Sequence, residues 1–401
     1  MCLSSVMKVL SLHTRATCSR ADQSSLRKVL CGEYSLWWQT SETKDSALSE
    51  AFTDTKLNTL QSKVLSTGNP VQMGKNEPKI ILLWIPFDKY WQPIMGFGQE
   101  GFVKHNCPVS NCIITNDKKL SKQASAIVFH MRGVNKKTVF PSPRFSNQSY
   151  VFLMKESPVM HSNDLASLEG VFNLTMTYRH DSDIPIPYGS FTAGASNRAS
   201  DEVQSLVAGK TKLVAWFVSN CRTSSKREEY VKKLQKYIPV DIYGRCGKFQ
   251  CKRNSSCYDM LEQDYKFYLS FENSVCKGYV TEKMFSVLQK YVVPVVYGGA
   301  NYTSHAPPHS VINVHDFDSP KHLAEYLLDL AQDEAKYREY FEWKKQYTLR
   351  NEGYNQGQGF CKLCEMISSA QQPRKVYDDL ADWWDTKASC NRHLATTRPD
   401  A

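Results

Sequence analysis

Within the run Lys266–Lys283, an acid–amide pair, Glu272-Asn273, follows the β-rich segment Phe267–Phe271. A Gly-Tyr turn, Gly278-Tyr279, comes next, and Thr281-Glu282-Lys283 then opens a helical pattern. This is a strand–loop–helix unit with its polar side chains at the carboxyl end of the strand, where ligands bind in open α/β sheets. A helix N-terminus offers backbone donors to phosphate. Lys283 in the first helical turn runs against the preference for acids there, and an anion bound beside it would account for the cation. The same inventory recurs upstream. Ser219-Asn220 closes Leu213–Val218, Arg227 starts the next helix, and Tyr243-Gly244 closes Val240–Tyr243. Arginine grips phosphate with two parallel bonds, lysine adds a point charge, and glutamate accepts ribose hydroxyls, so the set suits a nucleoside diphosphate. Singly these are ordinary polar loop ends; three successive strand ends of this kind read as one crevice.

Glu156, in Met154-Lys-Glu-Ser-Pro158, ends a strand just before a proline that enforces an extended bend. A carboxylate there is a candidate general base, and the competing reading is a solvated loop glutamate. Asp181-Ser182-Asp183 has the Asp-X-Asp form that chelates divalent metals with nucleotide phosphates, but three residues in a loop are a weak signal. A structural or cleft-lining role is preferred, with Arg227 and Lys283 neutralising the diphosphate in place of a metal. Neither G-x-x-x-x-G-K-[ST] nor G-x-G-x-x-G after a strand is present, so kinase and dinucleotide-dehydrogenase readings have no support.

The elements that must position these residues form two series. Lys79–Ile85 is a continuous apolar run typical of a buried parallel strand, and Ala126–His130, Tyr150–Met154 and Val171–Tyr178 are further strands. A Ser/Ala/Gly-rich passage, Ser190–Gly209, reads as an interdomain connection. Strands Leu213–Val218, Val240–Tyr243, Phe267–Phe271, Val292–Tyr297 and Val311–Val314 then alternate with helices over Ser225–Tyr237, Glu282–Tyr291 and Pro320–Tyr347. Such alternation implies βαβ units and parallel sheets. Two Rossmann-like domains facing a cleft is the natural α/β architecture, and one domain with a large insertion fits the same pattern. The expected division is a stem or linker at 1–77, domains at 78–200 and 201–365, and a C-terminal tail at 366–401.

The chain has 401 residues, enough for two domains, with 41% hydrophobic residues. Its net charge of +10 is spread among acids and accompanies no zinc-finger or RNA-binding signature, so nucleic acid is not expected as a partner. Thirteen cysteines and four Asn-X-Ser/Thr sequons, at Asn147, Asn173, Asn254 and Asn301, together favour an oxidising secretory compartment. Zinc at Cys361 and Cys364 ranks below disulfides, because Cys107 and Cys112 are more widely spaced and have no histidine pair nearby. Met1 to Leu12 is too short and too interrupted by Ser and Lys to span a bilayer, so the sequence reads as lacking an anchor.

The segments FYLSFENSVCKGYVTEK, VVPVVYGGANY and VINVHDF resemble the α-1,3-fucosyltransferases, glycosyltransferase family 10. So do FNLTMTYRHDSDIPIPYG and WFVSNCRTSSKREEYVKKLQKYIPVDIYGRCG, and the resemblance runs in order from Lys79 to Cys364. The RCGKFQCKRNSSC insertion is most similar to invertebrate and plant members that modify N-glycans. The resemblance implies a GT-B fold, an acceptor-binding N-terminal domain and a GDP-fucose-binding C-terminal domain. It also implies inverting transfer to the 3-hydroxyl of GlcNAc on glycoprotein glycans, with no metal or other cofactor required. By motif, Glu156 matches the general base, Arg227 and Lys283 the pyrophosphate cations, and Glu282 the acid that contacts nucleotide-sugar hydroxyls. Tyr188, Ser219, Asn220, Tyr268, Asn273 and Tyr279 match further donor-site positions, and Tyr243 joins them from the strand-end cluster. Family precedent pairs Cys361 and Cys364 with Cys107 and Cys112 in an unspecified order. It also implies a type II Golgi membrane protein, against which the missing apolar segment fits a mis-predicted first exon, a truncated isoform or a soluble secreted form. The alternatives are a GT-B enzyme with another donor and a non-catalytic carbohydrate-binding relative. The acceptor is either the N-glycan core or an antenna.

Overall fold

The computed structural model describes residues 77–85, 94–160, 164–195, 200–251, 255–369 and 375–391. The expected stem, 1–77, lies outside these apart from Glu77. Among the described residues no helix is long and apolar enough to cross a membrane.

The first half holds β1 (Lys79–Leu83), α1 (Glu100–Lys104), β2 (Cys112–Thr115), β3 (Ala124–His130), β4 (Ser149–Met154), β5 (Leu174–Thr177) and β6 (Ile184–Pro185). These strands form one parallel sheet in the order β2-β1-β3-β4-β5-β6. β7 (Gly189–Ala193) and α2 (Ser200–Ala208) follow. The second half holds β8 (Lys212–Phe217), α3 (Arg227–Leu234), β9 (Val240–Tyr243), α4 (Ser255–Asp264), β10 (Tyr265–Phe271), α5 (Glu282–Leu288), β11 (Val293–Tyr297) and β12 (Ile312–Asn313). Its parallel sheet has the order β12-β11-β10-β8-β9. α6 (Pro320–Gln332), α7 (Glu334–Glu339), β13 (Tyr347–Asn351) and α8 (Glu352–Ser368) follow. Two parallel α/β sheets, each of Rossmann type, lie within one compact unit, which is the GT-B architecture.

The strands are parallel because both faces of each sheet are covered; all six residues of β4 and all five of β11 are buried. One apolar cluster joins the halves, running from Phe152, Tyr178 and Tyr188 to Tyr279, Met284 and Phe285. A second fills the other face of the first sheet and includes Phe360, Leu363 and Ile367 of α8. The polypeptide therefore leaves the second half and returns to the first. Residues 375–391, within the expected C-terminal tail, return with it: Trp384 is fully buried, edge-on to Phe152 and Tyr178.

Two expected elements change, and one helix not expected from the sequence, α8, is added. Ser190–Gly209 is not a bare connection but holds most of β7, which pairs antiparallel with β13, and all of α2. Its small residues suit close contact: a Cβ on Gly194 would meet Thr348 Oγ1 of β13 at 2.6 Å. The helix expected over Pro320–Tyr347 breaks at Asp333, whose carboxylate accepts from Lys336 N at 3.0 Å and so caps α7. α8 carries three glycines that lower its intrinsic propensity, yet a Cβ on Gly357 would strike the His105 ring at 2.3 Å, so close packing requires glycine there.

Among the described residues there are five disulfides: Cys107–Cys361, Cys112–Cys364, Cys221–Cys246, Cys251–Cys257 and Cys276–Cys390. The first two fasten α8 to the first sheet.

Candidate active site

The loop from β10 to α5 is built around a buried carboxylate. Glu272, 1% exposed, accepts from Thr281 N at 2.8 Å and from Thr281 Oγ1 at 2.9 Å. Thr281 is the N-cap of α5. Lys283 Nζ donates to Thr281 Oγ1 at 2.7 Å and lies 3.2 Å from Glu272 Oε2 and 3.2 Å from Glu282 Oε1. Burial pushes the lysine pKa down most strongly, but Glu272 and Glu282 together overcome it and hold the ammonium above its usual range. Burial likewise pushes the Glu272 pKa up, against the pull of Lys283. For Glu282, whose side chain is half exposed, partial desolvation beside the cleft acts upward too, and Lys283 prevails and lowers it. The cation that looked out of place at a helix N-terminus is thus held between two carboxylates.

Arg227 opens α3 and is 4% exposed. Its Nη1 donates to Phe271 O at 2.5 Å and its Nη2 to Asn220 O at 3.3 Å, while Nε is buried without a protein partner. Asn273 Oδ1 is similarly unpartnered, although its backbone oxygen accepts from Ser225 N at 3.2 Å. An orphaned donor and an orphaned acceptor at adjacent strand ends suit a polar ligand. Ser219 and Asn220 are exposed beside them, tied down by Cys221–Cys246 and by Arg245 Nε, which donates to Ser219 O at 2.8 Å.

Glu156 faces this wall from the first sheet. Its Oε2 accepts from Tyr279 OH at 3.0 Å, and its Oε1 lies 3.5 Å from Arg132 Nη1. Burial raises the Tyr279 pKa well above the usual phenol range, so the phenol keeps its proton and acts as a donor. A second bond crosses alongside, from Ser157 Oγ to Ser274 Oγ at 2.7 Å. Tyr188 sits behind Glu156 and donates to Lys155 O at 3.0 Å.

The fold therefore brings Glu156, Tyr279, Glu282 and Lys283 to one place, with Arg227, Asn220 and Asn273 at the neighbouring strand ends. Tyr243 and Tyr268 lie instead in the core cluster with Leu261 of α4. The Tyr243 hydroxyl pairs with that of Tyr265 at 2.8 Å, and the Tyr268 hydroxyl bonds the Phe217 backbone. Sequence reasoning did not single out Arg132, Thr281 or the counter-charge role of Glu272; only the last had a signal, the odd placement of Lys283. Asp181 pairs with Arg179 at 2.6 Å, and Asp183 accepts from Thr175 N, Tyr377 OH and Lys375 Nζ, so this motif serves the local fold. Among the described residues no three His, Cys, Asp or Glu side chains gather as a metal-binding group. Asn147 and Asn301 are exposed, whereas Asn173 bonds Arg144, Tyr150 N and Lys375 O; Asn254 lies outside the described residues.

Residues 76–189 match the fucosyltransferase N-terminal family, and residues 207–383 match the C-terminal family of glycosyltransferase family 10 (fucosyltransferase). The α-(1,3)-fucosyltransferase C of Drosophila melanogaster is 39% identical over 341 residues, covering 76% of this chain and 77% of that protein. The glycoprotein 3-α-L-fucosyltransferase A of the same organism is 39% identical over 73% of this chain but only 58% of its own length. A 4-galactosyl-N-acetylglucosaminide 3-α-L-fucosyltransferase of Homo sapiens is 40% identical over 80% of this chain and 85% of its own. A crystal structure of an α1,3-fucosyltransferase with GDP-fucose aligns over 78% of this chain and 96% of that one, at 16% identity and a TM-score of 0.47. With both family models matched in order and relatives near 40% identity over most of their length, the chain belongs to glycosyltransferase family 10, the fucosyltransferases.

Proposed function

We propose that this protein transfers L-fucose from GDP-fucose to the 3-hydroxyl of a GlcNAc residue in glycoprotein glycans, with inversion at the anomeric carbon. The observation that carries the reading is the contact across the cleft, Tyr279 OH to Glu156 Oε2 at 3.0 Å, with Lys283 on the helix that follows Tyr279. Glu156 takes the proton from the acceptor hydroxyl, whose oxygen attacks fucose C1. The C1–O bond to the β-phosphate breaks, and its electron pair leaves with GDP. Tyr279 orients the carboxylate, while Lys283 and Arg227 stabilise the charge gathering on the diphosphate without need of a metal. Glu282 contacts hydroxyls of the nucleotide sugar, and Asn273, Asn220 and Ser219 border the nucleotide. The first sheet, about residues 78–200, takes the acceptor, and residues 201–365 take the donor. The five disulfides support an oxidising compartment, and the Golgi lumen is the proposed site of action.

The names of the Drosophila and human relatives support the 3-linkage; one names glycoprotein and the other a galactosylated N-acetylglucosaminide, and core and antennal GlcNAc are the two candidate acceptors. Mass spectrometry of defined N-glycans incubated with protein and GDP-fucose tests the proposal. One added deoxyhexose, placed on the 3-position by linkage analysis, is the expected product. No transfer with GDP-fucose, alongside transfer with another nucleotide sugar, would overturn it.

A further inference from the structure

Lys155 stands directly before Glu156 and is buried, with a side chain 4% exposed. Its ammonium lies 3.0 Å from Glu352 Oε1 and 3.9 Å from the centre of the Tyr188 ring, while the Tyr188 hydroxyl holds its carbonyl. Main chain and side chain of residue 155 are therefore both fixed, which sets the direction in which residue 156 leaves the strand. Glu352 is the first residue of α8 and also accepts from Gln356 Nε2 at 2.8 Å. We propose that Glu352 is a positioning residue for transfer: by holding the Lys155 ammonium it keeps that cation off the neighbouring Glu156. This rests on the reading of Glu156 as the base.

The charges in reach define the competition. Glu156 faces Arg132 of the turn after β3, Tyr279 of the β10–α5 loop, Tyr188 and Lys155. Lys155 faces Glu352, Glu282 and Glu156. Burial pushes the Lys155 pKa down, and Glu352 is the largest influence opposing it. If Glu352 is neutralised, the ammonium keeps only Glu156 and Glu282 as carboxylate partners. A cation that turns toward a carboxylate favours its ionised form, lowers its pKa and weakens it as a base. A bridge that merely fastened α8 to the first sheet would alter melting temperature and leave the pH profile alone.

The test is the acid limb of the kcat/KM–pH profile of the full chain, measured beside thermal stability. Glu352→Gln is expected to move the limb to lower pH by about half a unit or more, and to reduce transfer at neutral pH. Lys155→Met removes the cation and is expected to move the limb to higher pH. These two displacements, each in its stated direction, support the inference. A limb unchanged in either variant, displaced the same way in both, or displaced in the reverse directions overturns it. If Glu352→Gln does not accumulate, the direction of the Lys155→Met displacement decides. Glu156→Gln serves as control: near-normal turnover there defeats the base reading itself, whereas an inactive control with an unmoved Glu352→Gln limb defeats only this inference.

Discussion

Lys283 has two jobs that a pair of substitutions separates. It neutralises buried Glu272 at 3.2 Å, and in the proposed reaction it holds the departing diphosphate. Lys283→Met should raise the KM for GDP-fucose about ten- to a hundredfold, the range for losing a charge-assisted hydrogen bond. It should also lower the melting temperature, because Glu272 is left buried without its cation. Adding Glu272→Gln should recover stability but not donor affinity; recovery of both would show that Lys283 acts only on the fold. Asn173 carries a second prediction. Its amide oxygen accepts from Arg144 and Tyr150 N, and its amide nitrogen donates to Lys375 O, so a glycan there would displace bonds that join β4, β5 and the C-terminal segment. Glycopeptide mapping should find glycan at exposed Asn147 and Asn301 and none at Asn173. Lys283 stood out in the sequence because a cation is odd in a first helical turn, whereas Glu156 alone read as readily as a solvated loop glutamate and was singled out by the resemblance of its Glu-Ser-Pro segment. The odd placement of Lys283 signalled a counter-charge, but Glu272 could not be identified as that partner, since the role depends on a turn that brings Thr281 back to it. Nor could the sequence tell that the Tyr243 hydroxyl faces Tyr265, because both outcomes share one strand pattern.

At the scale of elements, the long apolar strands were readable because burial on both faces leaves an unbroken hydrophobic run. Lys79–Leu83 and Val293–Tyr297 lie where such runs fall. β7 and α8 were not readable. Their stability comes from partners distant in sequence, β13 for one and the first sheet for the other, and glycine is required where those partners approach. The disulfides of α8 make this testable. Cys107–Cys361 and Cys112–Cys364 close nearly the same loop, with sequence separations of 254 and 252. Once one bridge closes it, the second removes little further chain entropy. Removing either with paired Cys→Ser changes should therefore destabilise by about 1 kcal/mol or less, and removing both by about 2–5 kcal/mol, in denaturant titrations. Equal, additive losses would contradict the shared-loop argument.

Over the whole molecule, the two sheets are joined by a continuous apolar cluster and by a chain that crosses back to finish on the first sheet. That crossing is why the order of segments in the sequence is not their order in space, and why a boundary drawn along the sequence misses the return of α8. The cluster and the crossing fix the distance between the proposed base on one sheet and the donor loop on the other, and Tyr279 spans it. If Glu156 removes the acceptor proton while the opposite wall binds the donor, Glu156→Gln separates the two, with GDP affinity followed by calorimetry and transfer by glycan mass spectrometry. GDP binding is expected within about twofold of the unaltered protein, and transfer reduced by about a hundredfold or more. Near-normal transfer by Glu156→Gln would rule out Glu156 as the base.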